Sequence, residues 1–206
     1  IDLIKAFERV CHVTLLFEAE KWHYPLWLLR LTIAAYKIGR RISINGVVSD
    51  IVYACRGITA GSVTATTELR LNLLSALDNV VRAFPKMPLH VYVDDMFQFI
   101  ASSLKMVIHP TRGLPAAARF LASELTRLRL EVSKVKSHGI ASSAATAHAL
   151  QNSLVDLNMK FTSTAKSLGG DLTANGQRST RCQQARLDAL RNRRSRIARL
   201  RRGRVD

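Results

Sequence analysis

Two adjacent aspartates, Asp94 and Asp95, are the residues of this 206-residue chain whose types and spacing point most directly to chemistry. Neighbouring carboxylates repel each other, so they need either solvent or a cation beside them. A pair of Mg²⁺ ions, with Mn²⁺ as a substitute, is the chemical reason to keep two aspartates together, because hard divalent cations prefer oxygen ligands. The alternative is an ordinary surface turn, since turns favour aspartate.

A β-hairpin is predicted to carry this pair. Residues 89–100 read LHVYVDDMFQFI, in which apolar residues alternate up to Val93 and a second aromatic and aliphatic run follows Asp95. Two such runs around a polar dipeptide are typical of antiparallel strands joined by a tight turn. We therefore expect both aspartates at the turn of the hairpin.

A third carboxylate, Asp2, stands in the segment IDLIKAFERV at the start of the chain. A two-metal polymerase site needs a carboxylate on one strand and a carboxylate pair on a neighbouring hairpin. Together they hold two Mg²⁺ ions that activate a hydroxyl and neutralise the leaving pyrophosphate. If Asp2, Asp94 and Asp95 do not converge within a few ångströms of one another, about the span of a two-metal site, this interpretation fails.

The elements that must position these residues are short hairpins between amphipathic helices. Pro25 and Gly39 mark helix ends, because the residue before proline avoids the helical region and glycine is a common helix stop. Asn45-Gly46 is a strong hairpin signal. Helices are predicted over residues 13–21, 26–38, 63–83, 115–128, 142–157 and 180–202. Extended segments are predicted over residues 1–3, 41–54, 89–100, 130–133 and 161–172. This order predicts a mixed α/β fold of the α+β kind, an antiparallel sheet with helices packed on one face.

Three sequence blocks resemble the palm domain of a reverse transcriptase of the non-LTR retrotransposon and group II intron type. In that family a D-L-x-K-A-F-[DE]-x-V block is followed by R-G-x-x-x-G and then by Y-x-D-D. Here the blocks stand at residues 2–10, 56–61 and 92–95, in the family's order. Residues 130–137, LEVSKVKS, are similar to the family's L-x-[LV]-N-x-x-K-[ST] block, and residues 167–170, SLGG, to its [YF]-L-G block. The resemblance covers nearly all of residues 1–172.

The resemblance implies a metal site and a phosphoryl-transfer reaction. Asp2, Asp94 and Asp95 are the implied catalytic residues and metal ligands, with the carbonyl oxygen of Leu3 as a further ligand for two Mg²⁺ ions. Lys136 is the implied proton donor to pyrophosphate, or a phosphate contact. The reaction is then RNA-directed DNA synthesis, whose partners are an RNA template, a DNA primer and a dNTP.

The resemblance also implies substrate contacts. Phe7, five residues after the first aspartate, matches the family's steric gate, whose ring excludes a ribose 2′-hydroxyl. Tyr92 lies under the primer end. Arg56 begins a loop facing the same cleft, in which Gly61 lets the backbone approach the template-nucleotide pair. Two further residues that help to place the primer strand are Leu168 and Gly169.

Each of these residues has a structural alternative when it is judged by residue type alone. Phe7 is then a core aromatic, Lys136 a solvated turn lysine and Gly61 a glycine at a helix start. The six histidines show no ligand spacing and are expected to be structural or exposed.

Composition points to a polyanionic partner. The formal net charge is +16, and eleven arginines against two aspartates in residues 178–206 supply nine of these charges. We therefore divide the chain into a palm over residues 1–172 and an arginine-rich segment over 173–206, helical or disordered, in the position where a thumb begins.

The three cysteines have no metal-ligand spacing, which favours reduced thiols and an intracellular protein, nuclear or nucleoprotein-associated in a eukaryote. No apolar run reaches transmembrane length, so no membrane partner is expected.

Several positions depart from the family pattern and keep a second hypothesis open. The family usually reads R-G-[VLI]-R-Q-G-[CD]-P-L-S-P, whereas residues 56–66 read RGITAGSVTAT, without the glutamine and both prolines. The chain opens within a strand-like segment, so we expect a piece of a longer polypeptide whose fingers precede Ile1, and we expect no activity without them. The alternative is a decayed retroelement relic that only binds nucleic acid through its basic tail.

Overall fold

The computed structural model describes residues 1–167, 170–173 and 180–202, and this part of the chain mixes helices with short strands. Its α-helices are α1 (Ala6–Arg9), α2 (His12–Lys21), α3 (Leu26–Tyr36), α4 (Ala65–Ala83), α5 (Leu104–Val107), α6 (Leu114–Arg127), α7 (Ala144–Ser153) and α8 (Arg181–Arg202). Its strands are β1 (Ser43–Ile44), β2 (Val47–Val48), β3 (Leu89–Tyr92), β4 (Asp95–Gln98), β5 (His138–Ile140), β6 (Lys160–Thr162), β7 (Thr164–Ser167) and β8 (Gly170–Thr173). The mixed class predicted from the sequence is therefore confirmed.

The strands pair differently from the prediction. They form four two-stranded sheets, of which β1–β2, β3–β4 and β7–β8 are antiparallel and β5–β6 is parallel. The prediction of one antiparallel sheet is thus wrong in its connectivity. The parallel pair is joined through α7, since parallel strands need a crossover connection rather than a tight turn.

The predicted helices are found within a few residues of their expected ends. α2 ends at Lys21, shortly before Tyr24 and Pro25, where a helix end was predicted because the residue before proline avoids the helical region. Asn45 and Gly46, both with positive φ, form the turn between β1 and β2. The four-residue helix α5 and strand β5 were not predicted, because segments this short carry little periodicity.

The chain divides into two compact units, Ile1–Ser137 and His138–Asp206. The boundary between these units lies at residue 137, whereas the sequence motifs placed the end of the palm at residue 172. The palm boundary at residue 172 stays a prediction. No helix of the described residues is long and apolar enough to cross a membrane. Cys11 and Cys55 are free thiols, as expected.

Four helices build the core of the first unit. α4 packs against α2 and α6, and α2 packs against α3. Leu69, Leu73, Ala76 and Val80 recur at helical spacing along α4 and are fully buried. Complete burial stabilises an aliphatic side chain such as leucine by roughly 1.5 to 3 kcal/mol. This helical layer supports the inner face of the β3–β4 hairpin.

A buried carboxylate also joins α3 to α4. The side chain of Glu68 is fully buried and accepts hydrogen bonds from Thr32 Oγ1 at 2.7 Å and Tyr36 Oη at 2.8 Å. Buried polar groups are tolerated when they are hydrogen-bonded in this way. Burial raises the pKa of the Tyr36 hydroxyl, so the phenol stays a donor to this carboxylate.

The second unit contains β5, α7 and β6, followed by the β7–β8 hairpin and α8. α7 begins at an N-cap serine, Ser143, whose Oγ accepts a hydrogen bond from the main-chain N–H of Thr146 at 3.1 Å. Leu150, Leu154 and Phe161 are buried in this unit.

Candidate active site

The β3–β4 hairpin presents its carboxylates through a constrained turn. Tyr92 pairs with Asp95 at the end of the ladder, so Val93 and Asp94 form the turn and Asp95 is the first residue of β4. The prediction that both aspartates lie in the turn is therefore correct only for Asp94. Val93 has a φ of 59°, a left-handed conformation that β-branched residues rarely adopt. Its side chain packs against the hydrophobic core, which holds the turn in place.

The hairpin is amphipathic, and both Asp95 and Tyr92 belong to its outward face. Leu89, Val91 and Met96 pack on the core. Because successive side chains of a strand point to opposite faces, residues that alternate with these three point away from the core. Asp95 and its pairing partner Tyr92 are among them.

The main chain of residues 1–3 continues the pairing beyond β4. The main-chain nitrogen of Ile1 donates to the Met96 carbonyl oxygen at 2.7 Å, and the Met96 N–H donates to the Ile1 carbonyl oxygen at 3.0 Å. Exchange of both hydrogen bonds marks an antiparallel pair, so the next pair is Asp2 opposite Asp95. Such a non-hydrogen-bonded pair has its Cα atoms about 4.5 Å apart and its side chains on one face. The structure thus brings together two aspartates from distant parts of the chain.

A second neighbour holds this segment from the other side. Leu3 pairs with Val132 in an antiparallel bridge. The Ser133 N–H donates to the Asp2 carbonyl oxygen at 2.8 Å, and the Asp2 N–H donates to Ser137 Oγ at 3.0 Å. Since main-chain groups of alternate residues point to opposite neighbours, the Leu3 carbonyl, like that of Ile1, is directed towards the hairpin.

The turn of residues 133–137 carries Lys136 to the carboxylates. Lys136 Nζ lies 3.9 Å from Asp2 Oδ1, with the lysine side chain 70% exposed. Ser133 Oγ accepts a hydrogen bond from the Lys136 N–H at 3.2 Å, and the Ser137 N–H donates to the Ser133 carbonyl oxygen at 2.9 Å. Both serines are buried. Their hydrogen bonds stabilise the turn next to the main chain of Asp2 and so position the main chain of Lys136.

These two serines were not among the predicted site residues. The sequence showed Ser133 only as a departure from the family's usual asparagine, and Ser137 only as the last position of the K-[ST] block. The sequence nevertheless contained a signal for them. A serine precedes and another follows the candidate lysine, the first at the end of residues 130–133, which were predicted to be extended, and the second shortly after them.

The carboxylates affect one another electrostatically. The pKa of Asp94 is raised above its ordinary value, first by burial and then by the negative charges of Asp95 and Asp2, while Lys136 acts in the opposite direction. A carboxyl group that is partly buried beside two others binds a proton or a cation more readily than an isolated one. The four predicted catalytic residues, Asp2, Asp94, Asp95 and Lys136, are therefore close enough to affect one another electrostatically.

The donor chemistry fits a hard divalent cation, since carboxylate and carbonyl oxygens are the ligands that Mg²⁺ prefers. The carboxylates nevertheless do not close around a common point. Over the described ranges, no group of three His, Cys, Asp or Glu side chains is arranged to hold a metal ion. The Asp2 carboxylate is directed to Lys136 instead. In this arrangement the Asp2 carboxylate faces the lysine ammonium, while the main-chain pairing places Asp2 beside Asp95.

Three of the predicted substrate contacts, Phe7, Arg56 and Gly61, belong to a second group, connected to the first through residues 2–7. The Phe7 ring is partly buried against the core, and its carbonyl oxygen accepts a hydrogen bond from the Ile58 N–H at 2.9 Å. Gly57 lies so close to α1 that an added Cβ would meet the Glu8 carbonyl oxygen at 2.8 Å. The loop that starts at Arg56 is thus fastened to the segment carrying Phe7.

Two of the loop positions are open to solvent. The Arg56 side chain is exposed. Gly61 has a φ of 90°, and a Cβ added there would have no atom within 4 Å. Gly61 therefore leaves its backbone accessible, and the closely packed glycine of the block is Gly57. Two predicted positions, Leu168 and Gly169, lie outside the described residues.

No protein-family model matches this chain, and no curated protein sequence matches it significantly. The resemblance to reverse transcriptases therefore rests on the sequence blocks.

Proposed function

We propose that this chain is the palm region of an RNA-directed DNA polymerase from a retroelement. The observation that carries the proposal is the pairing of Asp2 opposite Asp95, next to the turn that presents Asp94. Two hydrogen-bonded neighbours hold the Asp2 segment, so its position does not depend on flexible side chains. This main-chain pairing of distant segments supports the three-carboxylate hypothesis, although the side chains of the described residues do not converge on a metal site.

The proposed reaction joins a dNTP to a primer 3′ hydroxyl. When bound, two Mg²⁺ ions would activate that hydroxyl and neutralise the leaving pyrophosphate. Asp2, Asp94 and Asp95 would hold the ions, with the Leu3 carbonyl oxygen as a further ligand. Lys136 lies on the Asp2 side of the carboxylates and is the proton donor to the leaving group.

The substrate contacts are assigned to Phe7 and Gly61 of the second group and to Tyr92 of the hairpin. The Phe7 ring excludes a ribose 2′-hydroxyl, so that deoxynucleotides are used. Tyr92 stands directly opposite Asp95 in the hairpin ladder and is 60% exposed, so its ring is available to a primer end beside the carboxylates. Gly61 offers an unobstructed backbone to the template-nucleotide pair.

The alternative is a relic that binds nucleic acid without catalysis. It is favoured by the missing glutamine and prolines of residues 56–66 and by carboxylates that do not close around a metal. The binding element in this case is α8, whose described arginines include Arg186, Arg191, Arg193 and Arg194, all exposed. An exposed basic helix binds phosphates through electrostatics, without sequence preference.

Two measurements separate these functions. The first is Tb³⁺ luminescence of the 206-residue chain, in which the Tyr92 ring beside Asp95 sensitises a bound lanthanide that Mg²⁺ displaces. The second is primer extension on an RNA template by the complete translation product of the gene. Polymerase function predicts that wild type shows both signals and that Asp94→Asn abolishes extension and weakens Tb³⁺ binding.

The matched control is Asp78→Asn, since Asp78 lies on α4 and pairs with Arg82 away from the hairpin. It should behave as wild type in both measurements. Nucleic-acid binding by the wild type without extension would establish the relic instead. Extension that survives Asp94→Asn would remove the aspartates from the mechanism.

A further inference from the structure

The outward face of the β3–β4 hairpin is aromatic where polar residues are expected. A hairpin with one face on the core usually exposes polar side chains on the other. His90 pairs with Phe97, and Tyr92 pairs with Asp95, so the four side chains share the outward face. Phe99 follows two residues after Phe97 and contacts its ring. Four rings therefore adjoin Asp95 on one surface, which we call the ring face: His90, Tyr92, Phe97 and Phe99.

Three members of the ring face are stacked on each other. The centroids of His90 and Phe99 lie 5.6 Å apart with planes 16° from parallel, and those of Phe97 and Phe99 lie 5.8 Å apart at 27°. Even so, Phe97 is 40% exposed and Phe99 41% exposed. Single exposed apolar residues are common, but a contiguous exposed group marks a binding surface.

The chemistry of the ring face favours nucleobases as its occupant. Flat, nearly parallel rings offer π-faces, and every base can stack on an aromatic side chain whatever its sequence. The chain as a whole carries a net charge of +16, which attracts polyanions. The face is also continuous with the proposed catalytic carboxylates through the neighbouring pair Tyr92 and Asp95.

The spacing along the strand also fits a nucleic-acid strand. Residues two apart on one strand face are separated by about 6.8 Å. Along the main chain this distance is twice the separation of about 3.4 Å between stacked bases, whereas the rings of Phe97 and Phe99 themselves lie 5.8 Å apart. Phe97 therefore lies about two base steps from Asp95.

We propose that the ring face stacks against the bases near the 3′ end of the primer strand and so positions that end at the carboxylates. The proposal rests on the proposed polymerase function for the identity of the strand. His90, Phe97 and Phe99 are then positioning residues for the primer. The stacking itself needs no catalytic step, so it is measured independently of extension.

The test uses the 206-residue chain and single-stranded DNA with the fluorescent base 2-aminopurine second from the 3′ end. Stacking quenches this base, so wild type should lower its emission on binding. Phe99→Leu keeps an apolar side chain but removes the ring, and it should abolish most of the quenching. Since stacking contributes about 1 to 3 kcal/mol per base, binding should loosen about 5- to 150-fold.

Two further variants keep the test decisive. Trp27→Leu removes an exposed ring from α3, outside the ring face, and should quench as wild type does. Phe99→Tyr keeps a ring at the tested position and should also retain quenching. If circular dichroism shows that Phe99→Leu is unfolded, Phe97→Leu replaces it with the same expected result.

The outcomes distinguish this inference from the proposed function. Quenching that persists in Asp94→Asn, together with loss of extension, supports both. Quenching by a wild type that does not extend primers supports the ring face and rejects the polymerase. Equal quenching by Phe99→Leu and wild type overturns the ring face, as does absence of binding. A dimer in analytical ultracentrifugation that Phe99→Leu dissociates would assign the face to a second copy and also overturn the proposal.

Discussion

The main-chain N–H of Asp2 donates to Ser137 Oγ at 3.0 Å, across 135 residues of sequence. The same serine is buried, and its own N–H donates to the Ser133 carbonyl oxygen. One hydroxyl therefore connects the segment carrying the first aspartate to the turn carrying Lys136. The carboxylate and the candidate proton donor are positioned together because they share this support.

Ser137→Ala removes the acceptor of the Asp2 N–H and is expected to destabilise the chain. An unsatisfied, partly buried donor costs about 1 to 3 kcal/mol, so the free energy of unfolding in urea should fall by about that amount. Ser137→Thr retains the hydroxyl and should recover part of the loss. Ser103→Ala is the control, because Ser103 is exposed and its side chain makes no capping hydrogen bond. Equal stability of Ser137→Ala and wild type would show that the hydroxyl does not hold Asp2.

Asp94→Asn is expected to stabilise the chain at neutral pH in the absence of divalent cations. Burial and the charges of Asp95 and Asp2 raise the Asp94 pKa in the folded state above its ordinary 3.8. The folded state then binds the Asp94 proton more tightly than the unfolded state does. The contribution of this proton to the free energy of unfolding is therefore complete below the ordinary pKa, and it is lost as the pH rises through the raised pKa of the folded state. Relief of repulsion between neighbouring like charges in a hairpin is worth roughly 0.2 to 1 kcal/mol.

Urea unfolding at two pH values checks this second prediction. The difference between Asp94→Asn and wild type should be present at pH 7 and vanish near pH 3. Added Mg²⁺ should stabilise wild type more than the variant, since the cation neutralises the same carboxylates. A variant less stable than wild type at pH 7 would contradict the assigned repulsion.

Lys136→Met separates stability from catalysis. The Lys136 side chain is largely exposed, and its nitrogen lies at 3.9 Å from the Asp2 carboxylate, so the ion pair contributes less than about 1 kcal/mol. Loss of a proton donor should nevertheless slow primer extension by the complete translation product about 10²- to 10⁴-fold. Lys134→Met changes an exposed lysine two residues earlier and should leave the rate unchanged. Similar small effects of both changes would exclude Lys136 as the donor.

Phe7→Val tests the sugar filter. If the ring excludes a 2′-hydroxyl, the smaller side chain should lower the preference for dNTP over rNTP about 10- to 100-fold, a range typical of small steric differences in a pocket. Competitive incorporation by the complete translation product measures this ratio. Phe17→Val is the control, since Phe17 is an exposed aromatic on α2. An unchanged ratio would leave Phe7 as a core aromatic.

The double substitution Arg193→Gln and Arg194→Gln tests the basic helix. Both side chains are exposed on α8, and each phosphate contact on single-stranded nucleic acid contributes about 0.7 to the slope of log affinity against log salt. The slope measured by fluorescence anisotropy should therefore decrease by about 1.4. Arg82→Gln, on α4, should leave it unaltered. Equal slopes for the double variant and wild type would place nucleic-acid binding elsewhere.

Local sequence signals determined most of the helices and the turns between them. Tyr24-Pro25 marked the boundary between α2 and α3, and Asn45-Gly46 formed a tight turn, because both act through the dihedral angles of adjacent residues. The position of the hairpin carrying Asp94 could be read in the same way from alternation. Apolar spacing also identified the buried face of α4.

Local signals failed where burial or pairing depends on distant residues. Glu68 lies fully buried on α4 because hydroxyls of α3 satisfy its carboxylate, whereas Leu74 on the same helix is 39% exposed. The outward rings of the hairpin contradict the simple rule of apolar inside and polar outside, because β-strand alternation cannot say which face the core will cover. The parallel β5–β6 pair likewise needed the crossover through α7.

The sequence by itself thus determined the residue types of the site, two adjacent aspartates, a third carboxylate and a lysine, and the elements that carry them. Only the tertiary structure decided that Asp2 stands opposite Asp95, that Lys136 lies beside Asp2, and that buried serines hold them there. The physical reason is that strand register between distant segments is fixed by packing against a shared core. Local dihedral preferences contain no information about that register.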